Sequence, residues 1–203
     1  MEISPKTLEW REAYKLLVGS ILPRPIAFVS TLDGTGIANA APFSFFTAIC
    51  ADPMLICFSP MRRGVDGAKK DTLINIESTG QFVINIVSFD MAEQMNDCSI
   101  EYSPDIDEMA EVGLTKEPGI KVKVPRIKES LVHLECELEQ VLHFGDQPGA
   151  GSLVIGKVVH VHVNDELFNK GRIDTAKLNP VGRMAGNIFT DPSAKTFEMK
   201  RKT

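Results

Sequence analysis

The sequence predicts a mainly β protein with peripheral helices, arranged as an antiparallel β-barrel that is closed or partly split. Apolar, strand-like runs recur along the 203 residues, and short turns rather than long helical crossovers join them. Short connections favour antiparallel pairing, because a parallel pair needs a crossover of about a dozen residues or more. Asp33-Gly34 is a good hairpin signal, since both residues tolerate positive φ. We expect helices to decorate the ends of the barrel.

The N-terminal part of the chain predicts a helix and then strands. Apolar residues at helical spacing in 7–18 predict a short amphipathic helix. The run "PIAFVST" (25–31) predicts a strand, and the chain returns through the hairpin turn into "IANAAPFSFF" (37–46). "PMLICFS" (53–59) predicts a further buried strand.

The middle of the chain alternates between helix and strand. Segment 71–79 predicts a helix that Asp71 caps and that Gly80 ends in a left-handed conformation. "QFVINIVS" (81–88) predicts the next strand, and 89–113 predicts a mixed, mostly helical segment with acidic positions.

The C-terminal part predicts the longest strands. "LVHLECELE" (131–139) alternates in period two, which predicts one inward and one outward face. The inward set is Val132, Leu134, Cys136 and Leu138, and the outward set is His133, Glu135, Glu137 and Glu139. A phase shift between Gln140 and Val141 predicts a bulge, and "SLVIGKVVHVHV" (152–163) predicts a long strand. We expect a single domain over 1–190 and a tail over 191–203 that is loosely held or reaches a partner subunit.

Composition excludes several classes of protein. The formal charge of −5 argues against general nucleic-acid binding, because no basic field covers the chain. The four cysteines show no C-x-x-C spacing, so neither a zinc knuckle nor a thioredoxin motif is indicated. The N-terminus does not resemble a signal peptide, and no apolar run approaches the roughly 20 residues that span a bilayer. We expect a reduced, soluble, cytoplasmic protein without a membrane segment.

Two stretches contain the groups that hold a phosphate. Ser30 and Thr31 place two hydroxyls at the end of a predicted strand, and a basic loop precedes the predicted helix at 71–79. The basic residues of this loop are Arg62, Arg63, Lys69 and Lys70. Hydroxyls, backbone amides and a lysine at a helix N-terminus suit an anion. The alternative is a solvated basic loop with an ordinary helix cap.

The stretch "NAAPFSFF" (39–46) follows neither helical nor strand periodicity. Ala40 and Ala41 leave room for a flat ring, and Asn39 can donate to and accept from the edge of a heterocycle. Pro42 fixes the backbone direction, and Phe43, Phe45 and Phe46 supply apolar walls. The alternative is an irregular core crossover that satisfies its polar groups internally.

Three further features carry weaker signals. "GTG" (34–36) lacks the third glycine and the following helix of a Rossmann dinucleotide site, so a hairpin turn is the better interpretation. His160 and His162 share one strand face without an evident third metal ligand, and we keep only His162 as a candidate neighbour of a ligand. In "NPVGRMAGNIF" (179–189), Arg183 could serve a phosphate, a carbonyl edge or a structural ion pair.

Six segments follow one another along the chain in a recognisable order. They are "LPRPIAFVST" (22–31), "GIANAAPFSFF" (36–46), "DPMLICFSP" (52–60), "KDTLINIESTGQFVINIVS" (70–88), "VIGKVVHVHV" (154–163) and "LNPVGRMAGNIF" (178–189). Together they resemble the flavin reductase-like, FMN-binding split-barrel family of flavoredoxin-like flavoproteins. Their order and spacing, rather than any one of them, make the resemblance specific.

The resemblance implies a homodimer of antiparallel split β-barrels with FMN near the subunit interface. The family's C-terminal motif commonly runs Arg-x-Gly-Gly and then a tyrosine, where this chain has Arg183, Ala185 and Phe189. The residues that resemblance and local chemistry together assign to the cofactor are Arg24, Ser30, Thr31, Asn39, Ala40, Ala41, Ser44, Phe45, Ser59, Lys70, Asp71, Thr72, His162 and Arg183.

The resemblance also implies a flavin-dependent oxidoreductase. NADH or NADPH would be the reductant, and a free flavin, oxygen or a redox partner protein would be the acceptor. The cofactor performs the redox chemistry, so no catalytic side chain is predicted, and backbone amides around 39–41 are candidates for stabilising the reduced ring. The alternatives are a non-enzymatic FMN electron carrier and a barrel that binds another anionic small molecule such as haem.

Overall fold

The apolar runs form the strands of one large sheet in the computed structural model, which describes residues 1–191 and 196–200. In chain order the strands are β1 (Arg24–Pro25), β2 (Ala27–Leu32), β3 (Ala38–Phe43), β4 (Phe46–Ala51), β5 (Met54–Phe58), β6 (Gln81–Ile86), β7 (Lys116–Glu117), β8 (Arg126–Ile127), β9 (Val132–Phe144), β10 (Gly151–Val163), β11 (Phe168–Asn169), β12 (Arg172–Ile173), β13 (Gly182–Arg183) and β14 (Phe189–Thr190). The α-helices are α1 (Trp10–Ser20), α2 (Asp71–Thr79), α3 (Ala92–Asp97), α4 (Glu108–Glu111) and α5 (Thr175–Leu178), and 3-10 turns cover Pro5–Thr7, Phe89–Met91 and Asp165–Leu167. Of the predicted tail at 191–203, residues 192–195 and 201–203 lie outside the described residues.

The main sheet curls into a barrel whose two edge strands, β3 and β4, are consecutive in the chain but are not hydrogen-bonded to each other in the described ranges. Its order is β3-β2-β6-β9-β10-β5-β4, and every neighbouring pair is antiparallel. Only Ser44 and Phe45 separate β3 from β4, and three peptide steps span at most about 11 Å. The sheet therefore curls until its edges approach, but no ladder joins β3 to β4 within the described residues. This geometry confirms the predicted fold class.

Aromatic side chains fill much of the barrel interior. Phe58 and Phe82 are fully buried with ring centroids 5.7 Å apart, and Phe43 lies 5.2 Å from Phe58. Gly156 provides the space for one of these rings, because a Cβ there would lie 2.3 Å from Phe82 Cζ. Burial of each such side chain stabilises the fold by roughly 1.5–3 kcal/mol.

A second apolar cluster attaches the 89–114 region to the sheet. Phe28 of β2 and Ala38 and Ala40 of β3 are fully buried in it, together with Met91 and Met109 from the attached region. The small side chains on β3 let this region approach the strand closely. The cluster thereby positions the polar residues of 89–114 beside the 39–44 stretch.

Most predicted elements have the predicted places. The helix over 71–79 has those bounds, and Gly80 follows it with φ of 69°. Asp71 does not cap this helix, which corrects the prediction: Lys70 is the N-cap residue, and Asp71 pairs with Arg63 at 2.8 Å. The bulge lies at Glu139, one residue before the predicted phase shift.

The predicted outward face of 131–139 is partly wrong, because His133 and Glu135 are both buried. The segment 118–124 covers this face of β9. Glu135 accepts hydrogen bonds from the N–H groups of Ile120, Lys121 and Val122 at 2.6–3.0 Å. Strand alternation separates two faces, but it does not reveal that a loop covers the polar one.

The composition predicts reduced cysteines and no membrane-spanning segment. All four cysteines are free, and Cys136 is fully buried whereas Cys57 is half-buried. In the part of the chain that the structure describes, no helix is both long and apolar enough to cross a bilayer.

Candidate functional site

Two cavities border the stretch 39–44, and they adjoin because Pro42 and Ser99 line both. The large cavity measures about 1210 Å³ and lies between Tyr14, Ser44, the 89–99 segment and the C-terminal strands. The small cavity measures about 100 Å³ and includes Asn39, Ala41 and Lys70 in its lining. Small-molecule sites commonly measure about 300–1,000 Å³. The large cavity therefore has room for a ring system, and the small one for a group such as a phosphate.

Arg24 is buried and has a structural role at the edge of the large cavity. Its guanidinium donates hydrogen bonds of 2.9 Å to the carbonyl oxygens of Val18, Ile21 and Met184. Its Nε donates to Ser44 Oγ at 3.3 Å, and Ser44 itself lines the large cavity. Arg24 thus ties the end of α1 to the C-terminal segment and orients Ser44.

Asn39 joins β3 to α2 through a polar network. Its Oδ1 accepts hydrogen bonds from Thr72 Oγ1 at 2.8 Å and from Thr31 Oγ1 at 3.4 Å. Asn75 Nδ2 donates to Thr31 Oγ1 at 3.1 Å, and the Asn39 side chain also hydrogen-bonds to Glu108. The structure brings three predicted site residues together here, but their polar groups largely bind one another.

Ser30 and Ser59 line neither cavity. Ser30 is fully buried, donates to Pro125 O at 2.8 Å and accepts from Asn85 Nδ2 at 3.1 Å. Ser59 Oγ donates to Ser152 O at 2.9 Å. Both hydroxyls satisfy carbonyl groups of the barrel and its connections.

Glu108 is a buried carboxyl group behind the 39–41 stretch. Its Oε2 accepts the backbone N–H of Ala40 at 2.8 Å. Burial raises the pKa of Glu108 to about 7; the Ala40 N–H opposes this increase, whereas the charge of Asp71 adds to it. Ala40 itself is fully buried, while Ala41 lines the small cavity. The Ala40 amide is therefore already occupied, and this corrects its expected availability to a ring.

Charged groups of both signs line the small cavity. Arg63 Nη2 lies 2.8 Å from Asp71 Oδ2, and Lys70 Nζ lies 2.6 Å from Glu101 Oε1. Arg63 Nη1 also lies 3.7 Å from the second oxygen of Glu101. The Nε of Arg63 is buried and has no hydrogen-bond partner within the described residues. An orphan N–H of a guanidinium is a donor for an anionic ligand.

Arg183 lies among aromatic rings at the large cavity. Its Cζ is 4.4 Å from the centroid of the Phe189 ring, and its Nη2 donates to Gly186 O at 2.6 Å. Tyr14 lines the same cavity, and Phe45 lies behind it at a centroid distance of 6.3 Å. The large cavity thus has a cation, Arg183, and aromatic rings from Tyr14 and Phe189 in its lining.

His162 belongs to a different polar cluster and lines neither cavity. Its Nε2 lies 2.5 Å from Glu135 Oε1, and its ring centroid is 5.9 Å from that of His133 and 4.6 Å from that of His160. Burial opposes ionisation of Glu135, but His162 and the amides of 120–122 outweigh it and hold the pKa of Glu135 at about 2. Among the described residues, no group of His, Cys, Asp and Glu side chains could hold a metal ion.

The structure adds Tyr14, Arg63, Glu101 and Glu108 to the residues around the two cavities. The basic loop 62–72 carried a signal for Arg63. Glu101 and Glu108 carried none, because nothing in the spacing of the acidic 89–113 segment separates them from their neighbours. Only tertiary contacts bring these carboxylates to the cations of the loop.

Comparisons with known proteins match most of the chain to one family. A model of the family described as flavin reductase like domain matches residues 18–177. An uncharacterized protein of Halalkalibacterium halodurans is 43% identical over 205 residues, covering 100% of this chain and 97% of that protein.

Solved structures are similar over the whole chain. Nitrilotriacetate monooxygenase component B from Bacillus cereus has a TM-score of 0.92 at 36% identity, with 98% of each chain covered. Pseudomonas fluorescens 2-nitrobenzoate 2-nitroreductase has a TM-score of 0.89 at 32% identity, covering 100% of this chain and 97% of that one.

Proposed function

Because the chain belongs to the flavin reductase-like family, we propose that it is an oxidoreductase that binds FMN and accepts electrons from NADH or NADPH. The electrons would pass to a free flavin, to oxygen or to a partner protein. The observation that carries the proposal is the pair of adjoining cavities, one large enough for rings and one of phosphate size, beside the 39–44 stretch.

The residues of the small cavity fit the phosphate end of FMN. Arg63 Nε is an orphan donor, and Lys70 and Thr72 lie at the N-terminus of α2 in the same lining. A phosphomonoester carries roughly −1.5 to −2 charges near pH 7. Each charge-assisted hydrogen bond contributes roughly 1.5–3 kcal/mol. Two cations and a helix N-terminus can therefore hold this group in a chain whose net charge is −5.

The residues of the large cavity fit the ring end. Pro42 lies where the two cavities adjoin, next to Ala41 of the small cavity, and both present little side chain. Ser44 of the large cavity offers a hydroxyl that Arg24 orients. Tyr14 and Arg183 would flank the rings and exclude water from one side. Bound FMN would supply the acceptance and release of electrons. The charge of Arg183 would favour negative charge on a reduced ring.

Three predicted site residues would support the site without binding FMN, because their polar groups already have partners in the protein. These are Ser30, Ser59 and His162. Ser30 and Ser59 would hold the barrel wall in shape through their bonds to carbonyl groups. His162 and Glu135 would hold the loop that covers β9. Thr31, Asn39 and Asp71 would position Thr72 and Arg63 rather than bind FMN directly.

We also propose a homodimer. Strand β4 is an exposed edge, and Ile49 and Met54 of the β4–β5 hairpin are 47% and 49% exposed. Phe144 at the end of β9 is 62% exposed. Exposed apolar edge strands are templates for association with another chain. A second copy would cover this apolar surface.

The test is an anaerobic reduction of the protein with bound FMN. Addition of NADH or NADPH without any other protein should bleach the absorbance of oxidised flavin faster than it does for free FMN alone. Addition of an electron acceptor should then restore the absorbance of oxidised flavin. The acceptors to be compared are oxygen, free flavin and a nitroaromatic acid, because the similar Pseudomonas fluorescens protein is named a 2-nitrobenzoate 2-nitroreductase. Bleaching only with a protein donor would favour the electron carrier. Failure to bind FMN would contradict both functions.

A further inference from the structure

Glu101 spans the cations of the small cavity. Its Oε1 lies 2.6 Å from Lys70 Nζ, and its Oε2 lies 3.7 Å from Arg63 Nη1. Its side chain is 50% exposed, and it follows the turn that ends α3. The carboxylate therefore lines the small cavity while half of its side chain remains open to solvent.

The two oxygens of Glu101 make contacts of the kind that phosphate oxygens make. A carboxylate and a phosphate both bind lysine and arginine through charge-assisted hydrogen bonds. Asp71 already pairs with Arg63 at 2.8 Å, so Glu101 neutralises the second cation of the lining. Asp71 and Glu101 together balance the charges of Arg63 and Lys70, and Glu108 is a third carboxyl group in the same lining. With Glu101 in place, the small cavity therefore offers an incoming dianion no net positive charge.

We propose that Glu101 is a specificity-determining residue, which occupies the position of the ligand's phosphate and competes with it for Lys70 and Arg63. The inference rests on the proposed function. A phosphorylated flavin must displace Glu101 into solvent before it gains both cations, whereas an unphosphorylated flavin does not. Glu101 thus lowers the advantage of FMN over riboflavin and makes FMN an exchangeable substrate rather than a permanently held group.

The consequence is a gain of affinity when the charge of Glu101 is removed. Glu101→Gln keeps the size of the side chain and abolishes the competing carboxylate. The loss of one exposed ion pair and of one like charge near the phosphate should tighten FMN binding by about tenfold. Riboflavin, which lacks the phosphate, should bind the variant and the wild type within about twofold.

A matched control is available in the same region. Glu77 also joins two basic groups, since its carboxylate lies 2.5 Å from Lys69 Nζ and 3.2 Å from His143 Nε2. Neither Glu77 nor Lys69 lines the small cavity. Glu77→Gln should therefore leave the affinity for FMN within about twofold of the wild type.

The experiment is a fluorescence titration of the flavin-free, full-length protein with FMN and with riboflavin. The wild type, Glu101→Gln, Glu101→Ala, Glu77→Gln, Lys70→Ala and the Lys70→Ala/Glu101→Gln double variant are compared. FMN should bind about tenfold more tightly to both Glu101 variants than to the wild type. The gain from Glu101→Gln should be much smaller in the Lys70→Ala background, measured against Lys70→Ala alone.

Two failures are distinguishable in this titration. If the wild type binds neither flavin, the proposed function fails. If the wild type binds FMN but both Glu101 variants leave its affinity unchanged, or tighten riboflavin equally, the role of Glu101 is overturned and the function stands. An equal gain for Glu77→Gln would also overturn it, because the effect would then be one of general charge.

Discussion

The buried carboxyl of Glu108 should make the stability of the fold depend on pH. Burial raises its pKa from the ordinary value of 4.5 to about 7, so the folded state holds the proton more tightly than the unfolded state. The stabilisation is fully present below pH 4.5 and is lost as the pH rises through 7. Because one pKa unit corresponds to about 1.4 kcal/mol, the loss between pH 5 and pH 8 amounts to about 2–3 kcal/mol.

Glu108→Gln removes this titration while it keeps an acceptor for the Ala40 N–H. The free energy of unfolding is measured by urea denaturation at pH 5 and at pH 8. Between these two pH values the wild type should lose about 2–3 kcal/mol more of it than the Glu108→Gln variant does. Glu111→Gln, an exposed position on the same helix α4, is the control and should follow the wild type. Parallel pH profiles for Glu108→Gln and the wild type would refute the assignment of a buried, proton-holding carboxyl.

Three further changes test the site, the core and the assembly. Lys70→Ala should weaken FMN binding by about tenfold and leave the affinity for riboflavin unchanged. A titration in which the variant and the wild type bind FMN equally well would contradict a contact between Lys70 and the phosphate. Gly156→Ala should lower the free energy of unfolding by about 1–3 kcal/mol, because the new Cβ would lie 2.3 Å from Phe82 Cζ. Gly19→Ala is the control and should not destabilise the fold, because a Cβ at Gly19 would have no neighbouring atom of the described residues within 4 Å. Ile49→Asp should convert a dimer to a monomer in sedimentation velocity, and an unchanged sedimentation coefficient would exclude the β4 edge as the interface.

The sequence predicts the fold well where local chemistry dominates. The helix 71–79 follows from periodicity and from the stop signal of Gly80, and the long strand near 152–163 follows from its apolar run. A hairpin does lie at the predicted turn, between β2 and β3, but its positive φ of 94° is at Gly36 rather than at Asp33 or Gly34. Strand β4 was not predicted, because its residues are mostly exposed and do not alternate. Its place follows from the barrel itself, in which a two-residue link carries the chain from one edge to the other.

The candidate site is only partly predictable for a physical reason. The residues of 39–46 and the basic loop are recognisable by their composition, and the structure brings both to one pair of cavities. The role of each polar group depends on its partner, and partners come from distant parts of the chain. Asn39 is 69 residues from Glu108 and contacts it only because α4 packs on β3. Periodicity carries no information about such a contact.

The two adjoining cavities are proposed to hold one FMN together. Native mass spectrometry of the purified protein, in a solution that contains FMN, tests this most directly. We expect one FMN bound to each chain, and a lower bound fraction for the Lys70→Ala variant at the same FMN concentration. A wild-type protein that binds neither FMN nor riboflavin at saturating concentration would contradict this proposal.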